Sequence, residues 1–190
     1  MNVKKIAIFA SGSGTNAENI IVYFSENELI EVDSLWSNKP GSGALERAEK
    51  YGVETLVFNR QQLYESEETV QNLKERGIDL IVLAGFLWLI PRNLIDNFKI
   101  VNIHPALLPE YGGKGMYGMN VHRAVVENKD PESGITIHWV NTVYDDGKII
   151  FQARCPVLPD DTPEDVAQKV HELEYKYYPS VIEDILKKED

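Results

Sequence analysis

The chain has 190 residues, 43% hydrophobic and 26% charged, enough to bury a sizeable core in one domain and unlike a disordered segment. Its 30 acidic against 19 basic residues give a formal net charge of −11, which weighs against nucleic acid and anionic membranes as default partners. The single cysteine, Cys155, excludes an internal disulfide and a cysteine-rich zinc site and fits the cytoplasm, and no apolar run is long enough to span a bilayer.

Lys4-Lys5 before Ile6-Ala7-Ile8-Phe9-Ala10 is too short an apolar stretch for a signal peptide and reads as a first strand over 6–10. Periodicity and turn residues then predict alternating elements. A Gly/Ser turn leads into a helix over 16–25. A strand over 30–37 closes at Asn38-Lys39-Pro40-Gly41, and a short helix over 44–51 ends at Gly52. A strand over 54–58 precedes a charged helix over 63–76 that stops at Gly77. Leu80-Ile81-Val82-Leu83-Ala84 is continuously apolar, as a parallel strand covered on both faces must be. Pro91 opens a helix to about residue 98, and a strand over 99–103 follows. A Pro/Gly-rich irregular stretch covers 105–118, then a helix 121–128. Ile135, Ile137 and Trp139 alternate with Thr136, His138 and Val140. With a tight turn at Asp145-Asp146-Gly147-Lys148 and a strand over 149–155, they predict an antiparallel hairpin. Thr162 and Pro163 start the last helix, which Pro179 is expected to kink or restart and which ends near 188. The fold class is α/β: an open, mostly parallel Rossmann-like sheet with helices on both faces and an antiparallel hairpin at the C-terminal edge, one domain over 1–190. Ligands of such sheets sit at the carboxyl ends of the strands.

Two constellations carry chemistry. Ser11-Gly12-Ser13-Gly14-Thr15-Asn16 joins the first strand to the first helix, where glycines and a helix N-terminus cradle anions. The stretch also fits a loose G-x-G-x-x-A dinucleotide fingerprint, but the second strand ends in Ser37-Asn38-Lys39 without the ribose-binding acid, and Asp33 sits too early; a monophosphate fits better than NAD. Asn102-Ile103-His104-Pro105 ends the fifth strand with Asn102 and His104 on one face. Asp145 in the later turn is a carboxylate that would raise a neighbouring imidazole's pKa. Asn offers an oxyanion donor, and His with Asp suits proton transfer during attack of an amine on a carbonyl.

These stretches, with Val82-Leu83-Ala84-Gly85-Phe86, His104-Pro105-Ala106-Leu107-Leu108-Pro109, Gly134-Ile135-Thr136-Ile137-His138 and Asp145-Asp146-Gly147-Lys148, resemble the glycinamide ribonucleotide transformylase family of folate-dependent formyltransferases from about residue 4 to 185. The resemblance implies formyl transfer from 10-formyltetrahydrofolate, as co-substrate and without a metal, to the amine of glycinamide ribonucleotide in purine biosynthesis, through a tetrahedral intermediate. It implies that Asn102 and His104 stabilise that intermediate and that Asp145 keeps His104 protonated. It assigns Gly14, Thr15, Asn16 and Glu174 to the nucleotide. It gives Leu87, Trp88, Leu89, Ile90, Asn102, Asn141 and Asp145 to the folate, with Arg60 as the nearest candidate for its tail. A nucleotide-binding half would cover about 1–100 and a folate-binding, catalytic half about 101–190, in a monomer or homodimer. His138 is expected to play a structural hydrogen-bonding role, His122 and His171 to lie at the surface or the edge of the nucleotide site, and the Gly-rich stretch 112–118 to form a flap. Departures from the family are Trp88, where an Arg or another long side chain is common, and the greater length and glycine content of 110–120. The alternatives are a formyltransferase acting on a nucleotide-sugar amine, an oxidoreductase, or a non-catalytic nucleotide-binding module. A tRNA acceptor would call for a basic surface and a further C-terminal domain.

Overall fold

A seven-stranded sheet in the order β3-β2-β1-β4-β5-β6-β7 organises the computed structural model, which describes residues 3–188. In chain order the elements are β1 (Lys4–Phe9), α1 (Thr15–Phe24), β2 (Ile30–Ser37), α2 (Gly43–Lys50), β3 (Glu54–Val57), α3 (Arg60–Tyr64) and α4 (Glu68–Glu75). They continue with β4 (Leu80–Leu83), α5 (Arg92–Asn97), β5 (Lys99–His104), α6 (Met119–Glu127), β6 (Glu132–Trp139), β7 (Ile149–Pro156) and α7 (Pro163–Lys187). β3, β2, β1, β4 and β5 pair in parallel, and β6 and β7 run antiparallel. The α/β class and the antiparallel C-terminal edge are as the sequence predicts.

The apolar runs are continuous because both faces of the sheet are covered. Ile6 and Ile8 face a core built with Ile20 of α1, Ala48 of α2 and Val170 and Ile182 of α7. Ala7 and Phe9 face the opposite core, with Leu63 of α3, Leu73 of α4 and Leu94 of α5. Among the described residues no helix is long and apolar enough to cross a membrane.

Three expectations need correction. The charged helix predicted over 63–76 is two helices. Asn59 caps an earlier start, with its side chain accepting from Gln62 N–H and Gln62 answering to Asn59 N–H. The hydroxyls of Ser66 and Thr69 then bond the Gln62 carbonyl, closing that first turn before α4 begins. Pro179 does not restart the last helix, which is continuous over 25 residues. Proline frees the carbonyl four residues earlier, here that of Tyr175, and Asn19 on α1 donates to it at 2.9 Å. The connection between β6 and β7 is not a tight turn but the loop 140–148, which folds back toward the end of β5.

Sheet order reverses at the β1/β4 pair, the switch point where open sheets hold ligands. Tyr178, fully buried on α7, donates its hydroxyl to Leu83 O at 2.8 Å, with Val101 O at 3.2 Å, and so ties the helix to the adjoining strands β4 and β5.

Candidate active site

The turn after β1 is built against its neighbours rather than left loose. Ser11 N–H donates to Gly85 O (3.1 Å), and the Ser11 hydroxyl accepts from Leu87 N–H (3.0 Å), joining the turns after β1 and β4. Ala44 N–H donates to Gly12 O at 3.2 Å, and Arg47 Nε donates to Ser13 O at 3.0 Å, pinning the turn to α2. Gly14 sits at φ 78°, where a Cβ would stand 2.3 Å from Ala44 Cα. It caps α1 with no side-chain bond, so no cap side chain takes up the first-turn N–H groups, the donors with which a helix N-terminus favours an anion. Gly14→Ala should therefore cost more than about 1–2 kcal/mol in urea unfolding; wild-type stability would show that α2 yields to the methyl group.

Asp33 takes no part in this site. It bonds Lys5 Nζ at 3.0 Å and Arg76 Nη1 at 3.2 Å, on the strand well before its carboxyl end. The Asn16 amide Nδ2 donates to Glu174 at 3.0 Å, which joins the two residues expected at the nucleotide, and Oδ1 is buried without a partner. Glu174 is 4% exposed and bonds His171 Nδ1 at 2.7 Å, which raises the His171 pKa above its ordinary value despite burial. Glu174 is therefore no solvated helix residue.

His122, expected at the surface or the site's edge, is 2% exposed on α6, and its Nδ1 has no partner. Burial, helped by His171, pushes its pKa down to about 4. The unfolded chain takes that proton below about pH 6.5, the folded chain only near pH 4. Stability is therefore full above pH 6.5 and falls by about 3 kcal/mol on the way to pH 4. Urea unfolding of His122→Gln should lack most of that drop; an equal drop in both proteins would place its source elsewhere.

The end of β5 carries the densest polar cluster. His104 (3% exposed) directs Nε2 at the carbonyl of Tyr111 (2.8 Å) and Nδ1 toward Asp145 Oδ2 (3.5 Å). A carbonyl can only accept, so Nε2 carries hydrogen and Nδ1 is the nitrogen free to exchange a proton. On the adjacent β6, His138 donates Nδ1–H to Trp139 O at 2.9 Å. Its Nε2 then accepts from Asn102 Nδ2 at 3.1 Å, while Asp145 Oδ1 lies 3.7 Å away. The antiparallel register places Asn102 opposite His138 and so builds the pair. The expected structural bonding of His138 is thus specific: it fixes the Asn102 amide and leaves that amide's second N–H unspent.

Asp145 reaches the cluster because its loop folds at two unusual residues. Asp145 itself stands at φ 54°. Any side chain at Gly147 would overlap Trp139 O, 1.6 Å from the added Cβ. Gly113 N–H donates to Asp145 Oδ2 at 2.9 Å. Burial raises the Asp145 carboxyl, but nearby His138 and His104 and the Gly113 N–H outweigh it and hold the pKa below the ordinary carboxylate value. Burial lowers the His104 pKa from its ordinary value, and Asp145 and the Tyr111 carbonyl, which favour the protonated ring, partly offset it.

The residues assigned to folate are divided. Leu87 is 37% exposed, while Ile90 at 2% is plain core in the cluster below the sheet. Tyr64 donates its hydroxyl to Leu89 O at 2.8 Å and holds this segment in place. Trp88 packs edge-on against Phe58 and Phe86, and the Arg60 guanidinium lies 4.9 Å over its ring. Arg60 is thereby placed beside the 87–90 segment that sequence spacing alone could not connect to it. The Asn141 side chain is spent inside its own loop, on Asp146 and on Val143 N–H. Among the described residues no group of three or more His, Cys, Asp or Glu is placed to hold a metal ion.

A mostly parallel sheet with a glycine turn at its switch point and an amide–imidazole–carboxylate cluster at the end of β5 makes this an α/β protein whose polar groups gather at the carboxyl ends of the strands. The chain belongs to the formyl transferase family, whose model matches residues 4–182. It is 42% identical over 187 residues to the chloroplastic phosphoribosylglycinamide formyltransferase of Arabidopsis thaliana, covering 94% of this chain and 64% of the relative. The Bacillus subtilis phosphoribosylglycinamide formyltransferase is 36% identical over 192 residues, with 97% and 95% covered. The crystal structure of glycinamide ribonucleotide transformylase 1 from Geobacillus kaustophilus superposes with a TM-score of 0.87 at 34% identity, covering 97% of this chain and 100% of that one. The chain spans only 64% and 60% of the length of the two plant relatives, from A. thaliana and Vigna unguiculata.

Proposed function

We propose that the protein transfers the formyl group of 10-formyltetrahydrofolate to the amine of glycinamide ribonucleotide, in the cytoplasm. The observation that carries this reading is the Asn102–His138 and Asp145–His104 arrangement at the end of β5. Glu174, bonded to Asn16 beside the glycine turn, is near enough to His104 to act on its charge. The folate supplies an activated formyl carbon. Gly14 and the free N–H groups of Thr15 and Asn16 hold the phosphate, and Glu174 accepts from ribose hydroxyls. Leu87 and Trp88, with Arg60 above the indole, line the folate side.

Asn102 gives its second amide N–H to the oxyanion that develops on the formyl oxygen. His104 Nδ1 takes the proton lost by the attacking amine and returns it to the departing folate nitrogen. Asp145 stabilises the imidazolium formed in between. An imidazole held below its ordinary pKa serves this well, since it is unprotonated when the amine attacks.

The test is an assay of purified protein with both substrates, run beside water and an amino-sugar nucleotide as acceptors. Formylation of glycinamide ribonucleotide well ahead of the others is expected. Preference for the sugar nucleotide, or for water, would overturn the acceptor assignment.

A further inference from the structure

The segment 111–113 grips both members of the proton-transfer pair with backbone atoms alone. The Tyr111 carbonyl accepts from His104 Nε2 at 2.8 Å, and two residues on, Gly113 N–H donates to Asp145 Oδ2 at 2.9 Å. That same oxygen faces His104 Nδ1 at 3.5 Å, beyond a good hydrogen bond, so the pair stands slightly open. Tyr111 lies at φ 53°, a left-handed conformation that a bulky residue keeps only when its surroundings impose it. Its ring packs against the main core, and its hydroxyl donates to Asp130, which Asn128 in turn bonds at 2.7 Å. An adjoining cleft of about 270 Å³, bounded by Leu107, Val125 and Pro131, leaves the segment room to move if that contact is lost.

We propose that Tyr111, anchored through its hydroxyl to Asp130, is a positioning residue for the reaction: it holds the segment 111–113 in the one arrangement that sets His104 against Asp145. This rests on the formyl-transfer reading for its kinetic consequence but not for its structural one. The groups that face His104 are Asp145 from the loop 140–148, His138 from β6, His122 from α6 and Glu174 from α7, and none of them is touched by changing the phenol. The Tyr111 carbonyl favours the protonated ring, so moving it away lowers the His104 pKa.

The test compares wild type with Tyr111→Phe, Asp130→Ala and Asp130→Asn. Two readouts are taken: the His104 imidazole titration by NMR in the free protein, and kcat, KM and the pH profile of formyl transfer. Tyr111→Phe and Asp130→Ala should titrate His104 at lower pH. Each should lose about tenfold in kcat with KM for either substrate within twofold of wild type. Asp130→Asn, which still offers an oxygen to the phenol, should recover most of both. An unshifted titration in folded Tyr111→Phe and Asp130→Ala overturns the proposal. So does a loss confined to KM, or a failure of Asp130→Asn to recover. If Tyr111→Phe does not fold, the two Asp130 variants decide alone. If wild type formylates neither acceptor, the function reading fails while the NMR titration still decides the positioning role.

Discussion

His104→Ala should bind both substrates near normally and lose about 10²–10⁴-fold in kcat, the range that a general acid–base group supplies. That loss corresponds to about 3–5 kcal/mol in the barrier. Binding survives because most of the residues assigned to phosphate, ribose and folate lie on the turn after β1, on α7 and on the segment 87–90, which His104 does not hold in place, and because Asp145, which faces His104, is also held by Gly113 N–H. Chemistry fails because Nδ1 is the only nitrogen of that ring free to exchange a proton, Nε2 being committed to Tyr111. Steady-state kinetics with both substrates, and calorimetric binding of each, separate the two effects. A variant with near-normal turnover would remove His104 from the mechanism. One with unchanged kcat and a large rise in KM would recast it as a binding residue.

The sheet was legible because its strands are written in a strong code. Runs such as Leu80-Ile81-Val82-Leu83 are apolar on both faces, and only a covered parallel strand needs that. The helices were legible where punctuation was local: Thr162 and Pro163 start α7, and the Thr162 hydroxyl does accept from Asp165 N–H. Misreadings came where a distant residue settled a local matter. Pro179 reads as a break until Asn19, far away in sequence, satisfies the carbonyl it frees. Glu67 and its neighbours read as mid-helix until Asn59 and Gln62 close a separate turn ahead of them.

The site divides in the same way. Asn102 and His104 stand out in the sequence because polar side chains at the end of an apolar strand are conspicuous, and Asp145 because it opens an Asp-Asp-Gly turn. Their electrostatics do not, since burial is a property of the packed molecule: charge pairing alone argues for a protonated His104, and desolvation reverses the sign. The parts of the cluster supplied by backbone, the Tyr111 carbonyl and the Gly113 N–H, leave no side-chain signature. The only trace was the glycine-rich stretch beginning at Gly112, read as a mobile flap. In the folded protein its first residues are a clamp: a Cβ at Gly112 would meet Leu108 Cδ2 at 2.7 Å and Asp145 Cβ at 3.4 Å.

Asp145→Asn should cut kcat by about 10²-fold or more and shift the pH profile in a defined direction. The amide keeps the shape and an oxygen for Gly113 N–H, so the loop should stay folded. What goes is the negative charge 3.5 Å from His104 Nδ1, which favours the protonated ring. Without it burial acts almost unopposed, and the His104 pKa falls further below its ordinary value. Activity that needs unprotonated His104 then persists to lower pH: the acid limb of kcat should move down by about one pH unit, although the plateau is much lower. The direction discriminates between mechanisms. Were protonated His104 the resting form that reacts, removing Asp145 would instead make activity fall at a lower pH on the alkaline side. Parallel pH profiles of wild type, Asp145→Asn and Asp145→Glu, the last retaining the charge at a longer reach, decide between them. An unshifted acid limb with a wild-type rate would reduce Asp145 to a residue that merely shapes its loop.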